Sequence, residues 1–174
     1  MSAVDMRNRL QPSLLDRLTD DQPGERVEAE ERRVMSRTQL RQAVLRDLAA
    51  LFNAVQPLGA QADPHPAVAD SVLNFGLPPL SGQLASALDI SVLEGYIRHA
   101  IERFEPRLLP ETLVVRALEA TSVLDTHNVI EFEISGHLWS QPLPLEVLLR
   151  TQLDLEAGQV AVRDAVGVTP SKTR

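Results

Sequence analysis

The chain has no cysteine and very few aromatic residues, and each shortage excludes a class of function. Without cysteine there is no disulfide, no thiolate nucleophile and no zinc site built on thiolates. Tryptophan, tyrosine and phenylalanine together make up only 3% of the chain. Clefts that bind and hydrolyse sugars usually carry aromatic platforms, so this scarcity disfavours a glycosidase.

The sequence also lacks a long apolar run and an excess of positive charge. No stretch approaches the roughly 20 apolar residues that cross a bilayer, and the first ten residues do not resemble a secretory signal. The net charge is -7 and the basic residues are scattered among acidic ones, which is unlike a protein that binds nucleic acid backbones. We therefore expect a cytoplasmic protein that neither binds nucleic acid nor inserts into a membrane.

No compact catalytic or metal-binding motif is present. The obvious carboxylates for glycoside hydrolysis are Glu94, Glu102 and Glu105, but the first two lie two helical turns apart, which is more typical of a solvated helix face. Histidines occur at four positions without ligand spacing: His65, His99, His127 and His137. The sequence thus predicts a protein with no catalytic residue, cofactor or metal. A peptidoglycan-cleaving hydrolase is the alternative.

The 174 residues divide into an N-terminal arm over 1–35, a single domain over 36–165 and a flexible tail over 166–174. The arm contains one apolar island, in which Leu14, Leu15 and Leu18 form a face of a short amphipathic helix. That face is too small to be stable alone. It must dock either on its own domain or on a partner, and the sequence favours neither.

Two longer helices are predicted in the domain. Ser36 and Gln39 have capping-box spacing, so the first helix is predicted from about residue 37 to 55. Its inward positions are Leu40, Val44, Leu48, Leu51 and Val55. Ser91 and Glu94 repeat the same spacing, and Pro106 ends the second helix. Its inward positions are Leu93, Ile97, Ala100, Ile101 and Phe104.

The second half of the domain alternates between apolar and polar residues, which is typical of half-buried strands. Long strands are predicted over Val129–Trp139 and Leu145–Leu155, with shorter ones over Leu113–Ala120 and Gly158–Val162. Helices followed by a meander of strands predict an α+β fold, with helices packed on one face of a small antiparallel sheet of three to four strands.

Between the second helix and the sheet lies Glu105-Pro106-Arg107, an acid and a base around a rigid proline. From the residues alone this is either an ordinary helix stop with a local ion pair or part of a binding surface. We expect Glu105→Ala and Arg107→Ala to leave the isolated protein folded, because polar residues beside a helix end usually contribute about 1 kcal/mol or less.

Several segments, taken in order, resemble one known family. They are Ser13–Leu18, Leu40–Leu48, Ser71–Leu77, Glu105–Arg107 and Leu149–Asp154. Together they are similar to TssE, the family of small baseplate subunits of type VI secretion systems, which is related to the lysozyme-like wedge proteins of contractile phage tails. The resemblance covers about residues 10 to 163.

The resemblance implies a wedge component of a membrane-docked baseplate that binds TssF and TssG, lies near TssK, and offers a platform on which the TssB/TssC sheath polymerises. It also implies that Glu105, Pro106 and Arg107 hold the wedge together. Arg150 and Gln152, on the outward face of the strand over Leu145–Leu155, would contact the sheath. Whether that strand is internal or accepts a partner strand at an exposed edge is left open.

Overall fold

The computed structural model describes residues 13–19, 23–24, 35–58, 65–80, 89–118, 129–140 and 143–165. The helices are α1 (Leu14–Leu18), α2 (Arg37–Asn53), α3 (Pro66–Ala69) and α4 (Ile90–Phe104), with single 3-10 turns at Val72–Asn74 and Pro110–Thr112. The strands are β1 (Val114–Ala117), β2 (Val129–Leu138), β3 (Leu145–Asp154) and β4 (Gln159–Asp164). The predicted tail, His127 and most of the arm lie outside the described residues.

The four strands form one antiparallel sheet in the order β1-β2-β3-β4, so each strand pairs with its neighbour in sequence. In β2 and β3, Phe132 lies opposite Thr151 and Ile134 opposite Leu149. Alternate residues of both strands are buried beneath α2 and α4. The predicted α+β fold is confirmed, and β3 is an internal strand with neighbours on both sides.

The α2 helix begins as predicted and ends earlier. Ser36 and Gln39 form a complete capping box. The helix stops at Asn53, and Val55 pairs with Leu77 in an isolated parallel bridge that leaves Val55 exposed. The prediction that Val55 lies inward was therefore wrong, because the helical period no longer applies once the chain has become extended at Ala54.

The start of α4 also differs from its prediction. Asp89 is the N-cap, and its carboxylate accepts hydrogen bonds from the backbone N–H and the hydroxyl of Ser91. Glu94 therefore does not belong to a capping box. Its carboxylate instead accepts a 2.7 Å hydrogen bond from the backbone N–H of Ala117 in β1. None of the described helices is long and apolar enough to span a bilayer.

One glycine is required where the segment before α4 meets the end of α2. Gly76 has a φ of 124°, a conformation that other residues rarely adopt. A Cβ at this position would overlap the backbone carbonyl of Ala54. The close approach allows Leu77 N–H to donate to Ala54 and Gln56 N–H to donate to Leu77. It fixes the end of α2 against the loop that leads towards α4.

Candidate partner-binding site

The Glu105-Pro106-Arg107 segment lies where α4 ends. Glu105 is the C-cap, and its N–H donates to Ile101 in the last turn of the helix. The residue is only 3% exposed. Arg107 donates two hydrogen bonds to the carboxylate of Glu105, with Nε 2.6 Å from Oε1 and a terminal nitrogen 2.5 Å from Oε2, which is a bidentate arrangement. Pro106 is exposed between them.

Arg107 also reaches a carboxylate on another helix. The same terminal nitrogen donates to Asp47 of α2 at 2.6 Å. Partial burial disfavours the charge on Arg107, but the hydrogen bonds and negative charges of Glu105 and Asp47 outweigh burial and raise its pKa. The guanidinium is therefore held as a fixed cation between two helices, and about a quarter of its side chain remains exposed.

The ion pairs continue from Asp47 to the N-terminal arm. Arg46 pairs with Asp47 at 2.8 Å and with Asp16 of α1 at 2.5 Å. The hydrogen bond from Arg46 is the main reason that the pKa of Asp16 is lowered. Asp16 also closes a capping box with Ser13 at the start of α1. We call this series, Glu105, Arg107, Asp47, Arg46 and Asp16, the ion-pair chain.

The ion-pair chain holds α1 by its polar side and leaves its apolar side outward. Leu14, Leu15 and Leu18 are 72%, 57% and 74% exposed, and α1 has no buried residue. Within the described residues the apolar face is not buried on its own domain. Of the two sequence interpretations, the geometry leaves this face available to a partner.

Trp139 is a surface residue beside Arg107 that the sequence reasoning missed. It follows β2, and its backbone N–H donates to the carbonyl of Arg107 at 2.7 Å. The residue is 54% exposed, and tryptophan is one of the residue types enriched at protein interfaces. The sequence feature that could have pointed to Trp139 is that it is the only tryptophan in the chain. Its outward direction follows from its place in the alternation after Leu138, which is buried.

Arg150 and Gln152 lie apart from this site, on the outer face of β3. The side-chain amide of Gln152 donates to Glu131 of β2 at 2.6 Å. Arg150 lies between Glu133 of β2 and Arg163 of β4 in the strand register. From Leu149 to Asp154, β3 is paired with β2 on one side and β4 on the other, so its backbone there cannot accept another strand. These two residues are therefore available through their side chains alone.

Two of the three carboxylates considered for hydrolysis, Glu94 and Glu105, make structural hydrogen bonds. Glu94 binds a backbone N–H of β1, and both oxygens of Glu105 are held by Arg107. Glu102 is exposed on α4. Within the described ranges, no three histidine, aspartate or glutamate side chains converge as a metal site.

The model of one protein family, baseplate wedge protein gp25, matches residues 38–143. The matched region is more than half of the chain and contains α2 from its second residue, all of α4, and Glu105, Arg107 and Trp139. It ends before β3 and begins after α1. No curated protein and no solved structure matches the chain.

Proposed function

Because the chain belongs to the family of the baseplate wedge protein gp25, we propose that it is the wedge subunit of a type VI secretion baseplate. TssE is the type VI homologue of gp25, so the family match fits the resemblance found in the sequence. Wedge proteins of this family are structural. The role of the chain in a baseplate is accordingly to bind other baseplate proteins.

The proposed partners at the wedge are TssF and TssG, with TssK nearby. The single observation that carries this assignment is the ion-pair chain, which joins Glu105 and Arg107 to the exposed leucines of α1. Through it, two segments that are distant in sequence become parts of one surface. We call this the wedge surface: Leu14, Leu15, Leu18, Pro106, Arg107 and Trp139.

The residues of the wedge surface, and Glu105 beneath it, contribute to partner binding in different ways in this proposal. Glu105 is buried, so it acts by fixing the position of Arg107 and not by touching a partner. Arg107 offers partly exposed donors. Trp139, whose backbone N–H donates to the carbonyl of Arg107, offers a half-exposed indole ring. Arginine and tryptophan are the residue types that most often dominate binding energy at protein interfaces. The leucines of α1 extend the apolar area.

The proposed contact with the TssB/TssC sheath is the outer face of the sheet. A row of charged residues crosses the four strands there in register: Arg116, Glu133, Arg150 and Arg163. Among the residues that the structure describes, none of the three arginines has an ion-pair partner. Arg150 and the neighbouring Gln152 would bind the first sheath ring by side-chain contacts. In this proposal the subunit works at the cytoplasmic side of a membrane-docked baseplate.

The test is co-purification of the tagged full chain with TssF and TssG from cells that express the baseplate genes. A variant with Leu14, Leu15 and Leu18 all changed to Ser removes the apolar face of α1 without touching the core. We expect it to recover at least about tenfold less TssF and TssG, since several exposed leucines would each contribute about 1 kcal/mol or more when buried.

The matched control is the double change Val72→Ser and Leu73→Ser. These two residues are equally apolar and exposed but belong to the 3-10 turn before α4. Normal recovery of the partners by the control, together with loss in the α1 variant, supports the wedge surface. Normal recovery by both variants would remove α1 from the interface. No recovery by the wild-type chain would contradict the wedge assignment itself.

A further inference from the structure

The two edge strands of the sheet, β1 and β4, direct some peptide groups away from the sheet, and the register shows which residues carry them. Ala165 N–H donates to Leu148 on the inner side of β4. Because successive residues of a strand point their peptide groups in opposite directions, Val160 and Val162 direct theirs away from β3. These are the groups with which another strand would pair.

The outward peptide group of Val160 is already occupied by a side chain. Asn53, the last residue of α2, donates from Nδ2 to the carbonyl of Val160 at 2.8 Å and accepts from its N–H at 3.0 Å. The second hydrogen of Nδ2 is donated to Ala49 in the preceding helical turn at 2.7 Å. A primary amide offers the same donor and acceptor as a peptide bond. The side chain of Asn53 therefore occupies the hydrogen-bonding position that the backbone of a neighbouring strand would take.

The opposite edge is covered in a similar way by α4. Leu118 N–H donates to Glu131 in β2, so Leu113 and Ala117 direct their peptide groups outward. The carboxylate of Glu94 accepts from Ala117 N–H at 2.7 Å, and Arg98 donates to the carbonyl of Leu113 at 3.1 Å. Both helices thus send polar side chains to the sheet edge they adjoin.

We propose that Asn53 guards the β4 edge, and that in its absence β4 of one copy pairs antiparallel with β4 of a second copy. In the register centred on Ala161, Val160 of each copy lies opposite Val162 of the other. Both hydrogen-bonded pairs, Val160 with Val162 of the other copy and the reverse, then contain one Val160. The side-chain amide of Asn53 in each copy therefore prevents both pairs from forming.

Side chains favour the same register. Val160 opposite Val162 is a pair of β-branched residues, which stabilises neighbouring strands, and Ala161 meets Ala161 without a clash. Arg163 lies opposite Gln159, so no like charges face each other. The inference needs no baseplate partner and is independent of the proposed function.

A purely structural tie between α2 and β4 is the competing explanation, and it makes a different prediction. If Asn53 only fastens the helix, its removal lowers stability but leaves a monomer. If it guards the edge, its removal creates a dimer that a block on the edge abolishes. Val162→Pro supplies that block, because proline removes an outward N–H that β4 does not use internally.

The experiment is sedimentation velocity of the full chain over a range of concentrations, with circular dichroism to confirm the fold. We expect Asn53→Ala to shift from monomer to dimer as concentration rises, and Asn53→Ala with Val162→Pro to return to monomer. Gln42→Ala is the matched control, since it removes an exposed side-chain amide from the same helix. It should remain monomeric, as should the wild type.

Folded Asn53→Ala that stays monomeric at every concentration would overturn the proposal, and so would a dimer that persists with Val162→Pro. Should Asn53→Ala not fold, Asn53→Asp takes its place under the same readings. It keeps an acceptor for Val160 N–H and loses the donor to the Val160 carbonyl.

Discussion

The helices α1 and α4 attach to the protein in opposite ways. Within α4, Leu93, Ile97 and Ile101 are buried against the sheet. By contrast, α1 is held by its acidic residue, and its leucines lie outside. The first arrangement builds a core, and the second positions a segment without burying it. The comparison indicates that the apolar face of α1 contributes little to the folding of the monomer.

The energies involved sharpen this contrast. Burying a leucine side chain stabilises a protein by about 1.5–3 kcal/mol, whereas a partly exposed ion pair such as that of Asp16 with Arg46 contributes about 1 kcal/mol or less. A five-residue helix is marginal by itself. The docking of α1 is therefore weak in the free subunit, and binding to a partner would strengthen it.

The largest expected effect is the difference in stability between truncating a leucine in α4 and truncating one in α1. Leu93→Ala removes a fully buried side chain from α4 and should lower the free energy of unfolding by about 3–5 kcal/mol. Leu15→Ala in α1 should change it by less than about 0.5 kcal/mol. Urea denaturation of both variants measures the difference. A similar loss in Leu15→Ala would mean that α1 belongs to the core.

An intermediate effect is expected at the buried end of the ion-pair chain. Arg107→Ala leaves the carboxylate of Glu105 buried without its bidentate partner and should cost about 2–3 kcal/mol. The loss falls below that of a fully buried pair because Arg107 is partly exposed. Glu105→Ala should cost less, since Arg107 keeps Asp47.

This cost is larger than the value of about 1 kcal/mol or less that the sequence predicts for the two alanine substitutions. The difference arises because Glu105, although it lies at a helix end, is buried. Equal, small changes in the urea midpoints of Glu105→Ala and Arg107→Ala would support the sequence prediction instead. Pull-downs of the wedge partners should therefore be interpreted with Arg107→Lys as well, which keeps the positive charge but loses the bidentate geometry.

The smallest effect is a pH dependence confined to α1. The pKa of Asp16 is lowered in the folded protein, chiefly by the hydrogen bond from Arg46. The pair therefore contributes fully above the ordinary pKa of 3.8 and is lost as pH falls through the lowered value. Carboxyl NMR titration should show a raised Asp16 pKa in Arg46→Gln. An unchanged Asp16 pKa in that variant would mean that α1 is held by other contacts.

The sequence predicted the elements well wherever the signal is local. Ser36 and Gln39 lie three residues apart, and the alternation in β2 and β3 is visible within ten residues, so short-range patterns were sufficient. The same pattern at Ser91 and Glu94 was misleading, because a better N-cap, Asp89, lies just before it. Glu94 is used by a strand 23 residues away.

The site was harder to predict because its contacts are distant in sequence. The Glu-Pro-Arg segment was recognised, but the burial of Glu105 depends on the packing around the end of α4, and Arg107 meets Asp47 across 60 residues. Similarly, nothing local to Ser13 or Asp16 indicates Arg46, which lies 30 residues away. Side-chain pairs of this kind require the fold to be known first.

The bond between Asn53 and Val160 joins residues 107 positions apart, and this separation has a consequence for the order of folding. The β2-β3 and β3-β4 hairpins are local and form early, whereas contacts that close a long loop form late. In refolding we therefore expect β4 to join the sheet before the side-chain amide of Asn53 reaches Val160. In that order of events the sheet would exist for a time with an open β4 edge, and association between copies at that stage would be a route to aggregation.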